Sequence, residues 1–470
     1  MPIEEGRIDV YREVRLSNTR TVFKNTFVLF IAQIAAMVIS FFCLMYMGRY
    51  LGPKNFGVIT LAIAFSNFFV GFGDLGLTTV LTRDISRDFD KAITYMSNAA
   101  TIKLIMMICI FGLIILTAFL TGYTAEVIHA IILIALSAVL MNFAQIYFSL
   151  FQAVEKMEFQ GLIQIPVILS ALLSGRILHR KCSFRLFNNL RVERDIWIYL
   201  LKESIPFGLS AIFVGVYMWF DTMLLSFIKG EQSVGYYNAA NKIVMVFNVI
   251  PLSIVGAIFP LMARLHSENS DYLKSSFNRA FKYMVIAGLP IATGITLLAD
   301  RIITVVFGTN YQASVLPLQI LIWPEFFIFC SLVSVVLLNS IGKQFMVTIQ
   351  CIGAACVSLI INLSLIPLYD YIGTCIANFA TYLLSFLFLI IICEKSGFNL
   401  LNKSNLLLVL KVCAALFIMG LYVTYFSVLN IMLLISTSAL VYFIILILVK
   451  GIDKSDIELV KGLFRMESHD

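Results

Sequence analysis

Among the ionisable residues inside long apolar stretches of this chain, four matter most: Asp74, Asp221, Lys242 and Glu325. An uncompensated charge at the centre of a membrane helix costs about 3 kcal/mol on insertion scales, so such residues usually face a bundle interior or a transport path. Asp74 sits in Gly71-Phe-Gly-Asp-Leu-Gly76, where glycines loosen the helix around the acid. Asp221 follows Ser210 and Tyr217 on one helical face, and Lys242 shares a face with Asn238. A purely structural ion pair of Asp221 with Lys242 is the competing reading for those two residues. Glu325 follows Pro324, which frees a backbone carbonyl and can bend the helix. Lys103 and Arg83 lie near span ends, where long stems let the charge reach the headgroups.

Uncharged polar residues recur at helical spacing in several stretches. Asn142, Gln145, Ser149 and Gln152 share one face, as do Thr374, Asn378, Thr381 and Ser385 further on. Ser, Thr and Asn commonly hold membrane helices together, so packing explains a single stripe as well as a pore does. Stripes in both halves of the chain favour a hydrated cavity. No phosphate-cradling glycine loop, no HExxH and no paired carboxylates on an aqueous loop occur, and the four histidines are isolated. The nine cysteines are scattered, mostly within apolar stretches, without metal-ligand spacing. The expectation is a chain with no catalytic residues, no metal and no cofactor.

The elements that must position these residues are membrane helices. Hydrophobic residues make up 60% of the 470 and charged residues 13%, with a mean hydropathy of +0.94, too little polar surface to solvate a water-soluble globule of this size. Twelve apolar stretches run from Val22 to Val449, beginning with Val22 to Tyr46 and Gly57 to Leu81 and ending with Leu406 to Tyr425 and Ile431 to Val449. Each is long enough as a helix to cross a bilayer, and the runs are solid rather than alternating, so they read as helices and not barrel strands. The first span has no small-residue cleavage site and reads as an uncleaved anchor.

With the N-terminus in the cytoplasm, most Lys and Arg fall in inner segments, leaving Arg49, Lys54, Lys229 and Arg301 outside. The net charge of +7 is therefore explained by topology, not by a nucleic-acid partner. This orientation requires an even number of crossings between Phe151 and Ser204. The apolar run Gly161 to Gly175 is short and contains Pro166, so it reads as a re-entrant or broken hairpin that starts and ends in the cytoplasm, with Cys182 inside.

Two stretches match across the chain: Gly52-Pro-Lys-Asn-Phe-Gly57-Val-Ile-Thr-Leu-Ala62 and Gly230-Glu-Gln-Ser-Val-Gly235-Tyr-Tyr-Asn-Ala-Ala240. Each follows the first long helix of its half, and each half has a basic inner loop after its second helix, starting near Arg83 and near Arg264. This implies parallel repeats about an axis along the membrane normal. The expected fold is all-α and polytopic, with about twelve full transmembrane helices plus one short or re-entrant segment, two pseudo-symmetric lobes and two peripheral C-terminal helices. The expected division is an N-terminal lobe over 1–160, a shortened hairpin and basic linker over 161–203, a C-terminal lobe over 204–394, and two extra helices with a tail over 395–470.

In Arg49-Tyr-Leu-Gly-Pro-Lys-Asn-Phe-Gly57, Asp74-Leu-Gly76 leading to Arg83, Pro206-Phe-Gly208, Asp221-Thr-Met-Leu-Leu-Ser226 and Val234-Gly-Tyr-Tyr-Asn-Ala-Ala-Asn-Lys242, the chain resembles the polysaccharide or O-antigen flippases. These are the Wzx-type members of the multidrug/oligosaccharidyl-lipid/polysaccharide exporter superfamily. The resemblance extends from about Arg20 to Lys395, and implies two six-helix lobes that move an undecaprenyl-diphosphate-linked oligosaccharide across the bacterial cytoplasmic membrane by alternating access. It departs from the family between Glu155 and Asp195, where two helices are expected and roughly one helix's worth of apolar residues is present.

A diphosphate crossing hydrocarbon needs a cationic path. The resemblance makes Arg49, Arg83, Lys242 and Arg264 candidate anion contacts, with Asn142, Gln145 and Asn378 meeting sugar hydroxyls. Asp74, Asp221 and Glu325 become candidates for the coupling proton or sodium ion. Partners implied are the lipid-linked oligosaccharide, the coupling ion, membrane lipids and other polysaccharide-assembly proteins. Rival readings are an antiporter of small organic cations in the same fold, and a truncated scaffold of the assembly complex that does not transport. An enzyme such as a membrane polysaccharide polymerase would need a larger outer loop than this chain has.

Overall fold

A computed structural model describes residues 19–88, 91–153, 193–252, 254, 270–400 and 402–452. Its α-helices are α1 (Thr19–Gly71), α2 (Leu77–Arg87), α3 (Ala92–Leu120), α4 (Ala125–Ala153), α5 (Arg194–Lys229) and α6 (Glu231–Met245). They continue with α7 (Ser270–Val306), α8 (Val315–Ser340), α9 (Gln344–Lys395), α10 (Lys403–Tyr425) and α11 (Ile431–Leu448). Short 3₁₀ turns occupy Val246–Asn248 and Thr309–Ser314, and no strand occurs among the described residues. Arg264, Cys182 and the expected hairpin over 161–175 lie outside the described residues.

The helices have the lengths a bilayer demands. At 1.5 Å per residue the 29-residue α3 and α4 each run about 43 Å, more than the roughly 30 Å of hydrocarbon. Among the described residues nine helices are long and apolar enough to cross a membrane. Eleven of the twelve expected spans lie wholly within the described residues, and the sixth lies within them only in part. α1 and α9 each carry two spans about a sharp turn, at Gly52 (φ 73°) and Asp370 (φ 56°), and α6 with the following turn begins the sixth. Among the described residues, the turn at 72–76 interrupts the second expected span and the 3₁₀ turn Val246–Asn248 the sixth.

The chain forms two compact units. Unit 1 comprises Met1–Leu44 and Val58–Met223, and unit 2 comprises Met45–Gly57 and Leu224–Asp470. The expected lobe boundary at 203/204 assigns all of the fifth span to the second lobe, whereas most of α5 belongs to unit 1. In unit 1 the core joins Leu77, Val80 and Leu81 of α2 to Met96 and Ala99 of α3 and Ile146 and Leu150 of α4. In unit 2, Phe277 and Met284 of α7 meet Phe329 and Val333 of α8, Leu389 of α9, Val412 of α10 and Tyr442 of α11. The Tyr442 hydroxyl donates to the Ile286 carbonyl at 2.9 Å, so the one polar atom this large side chain buries is satisfied. α10 and α11 pack on each other and on α7, and present Phe417 and Leu448, about 70% exposed, on their outer faces. In lipid such a surface is solvated, not stranded.

The two glycine-spaced stretches meet inside unit 2. Gly52 and Gly230 adopt the same backbone, φ 73°, ψ 172° and φ 86°, ψ 178°, a region that side chains oppose. Each opens a stretch of helix whose fifth residue is again glycine, Gly57 and Gly235. A Cβ on Gly57 would overlap the Glu231 carbonyl, and a Cβ on Gly235 would overlap the Pro53 carbonyl. The contact is reciprocal: the second glycine of each stretch admits the first turn of the other. Membrane helices lack a hydrophobic driving force towards one another, so small residues that allow backbone approach supply the dispersion contact instead.

Candidate transport site

Asp74 is placed by a break in a membrane helix. α1 ends at Gly71, residues 72–76 form a turn, and α2 begins at Leu77. Leu75 and Gly76 take positive φ of 41° and 80°, and the Leu77 amide donates back to the Asp74 carbonyl at 2.7 Å. The turn is held between two neighbouring helices in unit 1. A Cβ on Gly73 would strike Met107 of α3, and a Cβ on Gly208 of α5 would lie 2.6 Å from the Leu75 oxygen. The glycines around Asp74 therefore allow both the break and its enclosure.

The carboxylate is doubly engaged. Thr78, one helical turn on, donates its hydroxyl to Asp74 Oδ2 at 2.7 Å. Lys103 of α3 donates its ammonium to Oδ1 at 2.6 Å. The Lys103 side chain is 0% exposed and that of Asp74 25%. Sequence reasoning sends Lys103 towards the headgroups, and the structure instead turns it inward onto the acid. The signal that could have found it was present: Lys103 is the basic residue within the span nearest to Asp74 in sequence. Charge balance alone recommends pairing them, because an unpaired buried charge is the more costly arrangement.

At the far end of α2, Arg83 is surrounded by acids. Its Nε donates to Asp84 Oδ1 at 2.8 Å and an Nη to Glu203 Oε2 at 3.0 Å, while the Tyr199 hydroxyl donates to Asp84 Oδ2 at 3.0 Å. Those two carboxylates hold the guanidinium proton more tightly than usual. Asn98 of α3 ties the same end of unit 1 together by accepting from the Glu193 amide at 2.9 Å.

The other expected residues fall at separate places. Of the stripe on α4, Asn142 is half-buried with an enclosed Oδ1 that meets no hydrogen-bond donor among the described residues, Gln145 is exposed, and Ser149 donates to the Ile146 carbonyl. Asp221, near the end of unit 1, is buried and accepts from the Thr222 amide at 2.6 Å. In unit 2, Arg49 donates to the Val305 and Val306 carbonyls at the C-terminus of α7, where a cation also complements the helix dipole. Lys242 is half-buried in the last turn of α6. Asn378 donates to the Tyr237 hydroxyl at 2.7 Å, and its companions Thr374, Thr381 and Ser385 are all buried. Glu325, after Pro324 in α8, is 4% exposed. It is hydrogen-bonded by Asn248, and its Oε1 meets no donor among the described residues. Thus the structure brings together Asp74 and Lys103 in unit 1, and distributes Arg49, Lys242, Asn378 and Glu325 through unit 2.

The family model described as polysaccharide biosynthesis protein matches residues 22–172 and 160–266, more than half of the chain. The chain belongs to that family. A putative O-antigen transporter of Shigella flexneri is 25% identical over 338 residues, covering 64% of this chain and 80% of that protein. Among solved structures, the lipid II flippase MurJ in an inward closed conformation superposes with a TM-score of 0.71 at 13% identity, covering 89% of this chain and 98% of that one. An inward-facing multidrug-resistance transporter of the MATE family superposes at 0.59 and 16% identity, covering 78% and 95%. At such identities the two structures establish the fold, that of the MOP-superfamily transporters: an all-α, multi-pass membrane protein.

Proposed function

We propose that this chain is a flippase that carries an undecaprenyl-diphosphate-linked oligosaccharide, an O-antigen or capsule repeat unit, across the bacterial cytoplasmic membrane by alternating access coupled to a proton or sodium ion. The observation that carries this reading is the Asp74–Lys103 pair, buried at a helix break in a member of the polysaccharide biosynthesis family. A diphosphate entering hydrocarbon requires a cation to meet it. Lys103 is such a cation, held in reserve by Asp74. When Asp74 takes up a proton or a sodium ion its hold on Lys103 weakens and the ammonium is released to an anion; when substrate leaves, the pair re-forms and the ion is expelled. One carboxylate thereby links ion binding to anion binding without the two charges ever being buried alone. In this scheme Arg49, Arg83, Lys242 and Arg264 are further anion contacts, Asn142, Gln145 and Asn378 meet sugar hydroxyls, Asp221 and Glu325 are additional ion carriers, and the N-terminus is cytoplasmic.

The test is a deletion of the gene in its host, with lipid-linked oligosaccharide measured by mass spectrometry beside surface glycan. Accumulated intermediate and lost glycan, rescued by this chain and not by Asp74→Asn, is the expected result. Full transport with unchanged ion dependence in Asp74→Asn removes Asp74 from coupling.

A second reading, an antiporter of small organic cations, is favoured by one observation: Glu325, a buried carboxylate with an unmatched oxygen, is a ready partner for a cationic drug. An unchanged lipid pool in the deletion strain together with lost efflux of such cations would select it.

A further inference from the structure

Four turns come together at one end of unit 2. The turns at Gly52 and Gly230 meet through the reciprocal glycine contact. The Tyr311 hydroxyl, just after Gly308, donates to the Gly48 carbonyl at 2.9 Å, and Lys229 donates to the Pro367 carbonyl at 2.9 Å, which brings in the turn inside α9. Gly52, Gly230 and Gly308 have φ of 73°, 86° and 93°. In the α9 turn the residue with positive φ is Asp370, at φ 56° and ψ −140°. Glycine enters this region freely, whereas a residue with a side chain is strained there, and strain of this kind collects where the side chain has a use. The Tyr371 amide donates to Asp370 Oδ1 at 2.7 Å, which offsets part of the strain and engages one of the two carboxylate oxygens. Glycine at 370 would remove the strain altogether, so local folding does not account for the acid.

Aromatic side chains lie beside it. Tyr371 and Tyr236 sit ring to ring, centroids 5.8 Å apart and planes at 56°, and Tyr236 in turn meets Tyr311 edge-on at 6.4 Å. Tyr236 and Tyr371 are both half-buried, so packing holds the rings while part of each stays reachable. The exposed Gln232 amide donates to the Tyr236 hydroxyl at 3.0 Å, which sets it beside the rings. Lys54 and Lys229 match Glu231 and Asp370 in number across these turns, and the Arg49 guanidinium is engaged by the α7 carbonyls. Held aromatic faces, an amide and a fixed carboxylate, without excess charge, suit an uncharged ligand with a flat C–H face and many hydroxyls: a sugar ring. A diphosphate would call for a cationic excess and a quaternary ammonium for an anionic one.

We propose that Asp370, Tyr371, Tyr236 and Gln232 form a binding site for the sugar rings of an oligosaccharide. The site is apart from Asp74 and Lys103. It deepens the flippase reading and rests on its orientation, which puts this end of unit 2 outside the cytoplasm, where the glycan meets it on leaving.

The test uses full-length protein in lipid nanodiscs and the host's own repeat-unit oligosaccharide, released from its lipid carrier by mild acid, with binding titrated by saturation-transfer NMR. The parent chain should bind it. Asp370→Gly should weaken binding about tenfold by removing a charge-assisted hydrogen bond, and Gln232→Ala about threefold. Asp370→Gly should also melt at or above the parent temperature, since glycine relaxes the turn. Glu394→Gln, at the opposite end of α9, should leave binding unchanged. No binding by the parent, undiminished binding by Asp370→Gly, or a loss accompanied by a fall in melting temperature would overturn the proposal. Binding of undecaprenyl diphosphate without sugar that weakens in Asp370→Gly would reassign the turn to the headgroup and overturn it as well. An unchanged lipid-linked pool in the deletion strain sinks the flippase reading alone, and Asp370-dependent binding of the sugar would then still support the site.

Discussion

Units 1 and 2 solve the same problem, an acid inside a membrane helix, in opposite ways. In unit 1 Asp74 sits at a broken helix and is matched by a fully buried lysine and a threonine hydroxyl. In unit 2 Glu325 sits on a continuous helix after a proline, with a single amide from Asn248 and an oxygen that no described donor meets. The matched acid has a built-in counter-ion. The unmatched one has no such cation beside it among the described contacts. Two acids that one sequence rule places in the same class are thus electrostatically different: one is half of an ion pair and the other, among the described residues, is hydrogen-bonded by an amide.

That contrast can be broken most forcefully at Lys103. Lys103→Met leaves Asp74 facing a buried apolar side chain, and removing one partner of a buried pair should destabilise unit 1 by about 3–5 kcal/mol, seen as loss of folded protein in detergent melting. The double variant Lys103→Met/Asp74→Asn should recover most of that stability while still failing to transport. If the double variant is as unstable as the single, the pair is not the unit of compensation.

Unit 2 has its own point of greatest sensitivity, the reciprocal glycine contact. Gly235→Val should cost about 1–3 kcal/mol by forcing the Pro53 carbonyl away, and Gly57→Ala should act in the same direction through Glu231. Both are measured as a fall in melting temperature. Glu325→Gln should move stability by about 1 kcal/mol or less, since the amide is close in shape and one oxygen meets no donor among the described residues. A loss as large as that of Lys103→Met would erase the distinction between the two acids. Glu203→Gln should be smallest, within about 1 kcal/mol, because its pair with Arg83 is partly exposed at 40% and 31% and solvent screens it.

Much of this was legible in the sequence because it is local. Solid apolar runs of bilayer length become helices wherever no water is available to satisfy the backbone, so the spans from Val22 to Val449 follow from composition and length. The matching glycine stretches were visible as well, and so was the looseness of the helix at Asp74, since Gly71, Gly73 and Gly76 surround it. Other features were not legible. Arg49 reads as a transport cation, and its actual contacts are two carbonyls ending α7, more than 250 residues away in the chain. Arg83 reads the same way, and its neighbours are Asp84 and Glu203. The stripe on α9 reads as a pore lining, and the structure packs it, with Asn378 on Tyr237.

The sequence by itself determined that this is an all-helical membrane protein, where its helices run, where glycine lets backbone approach backbone, and which ionisable groups must lie in the apolar zone. Those properties depend on spacing within one segment and on a solvent that leaves the backbone no alternative. Tertiary structure alone decided which of the charges meet. Helical periodicity says which face a side chain occupies and nothing about the helix opposite, so the closure of Lys103 onto Asp74 and the pairing of Arg83 with Glu203 arise only when separate helices are packed. The energy of a charge in a membrane is set by its nearest partner, and that partner is chosen by packing.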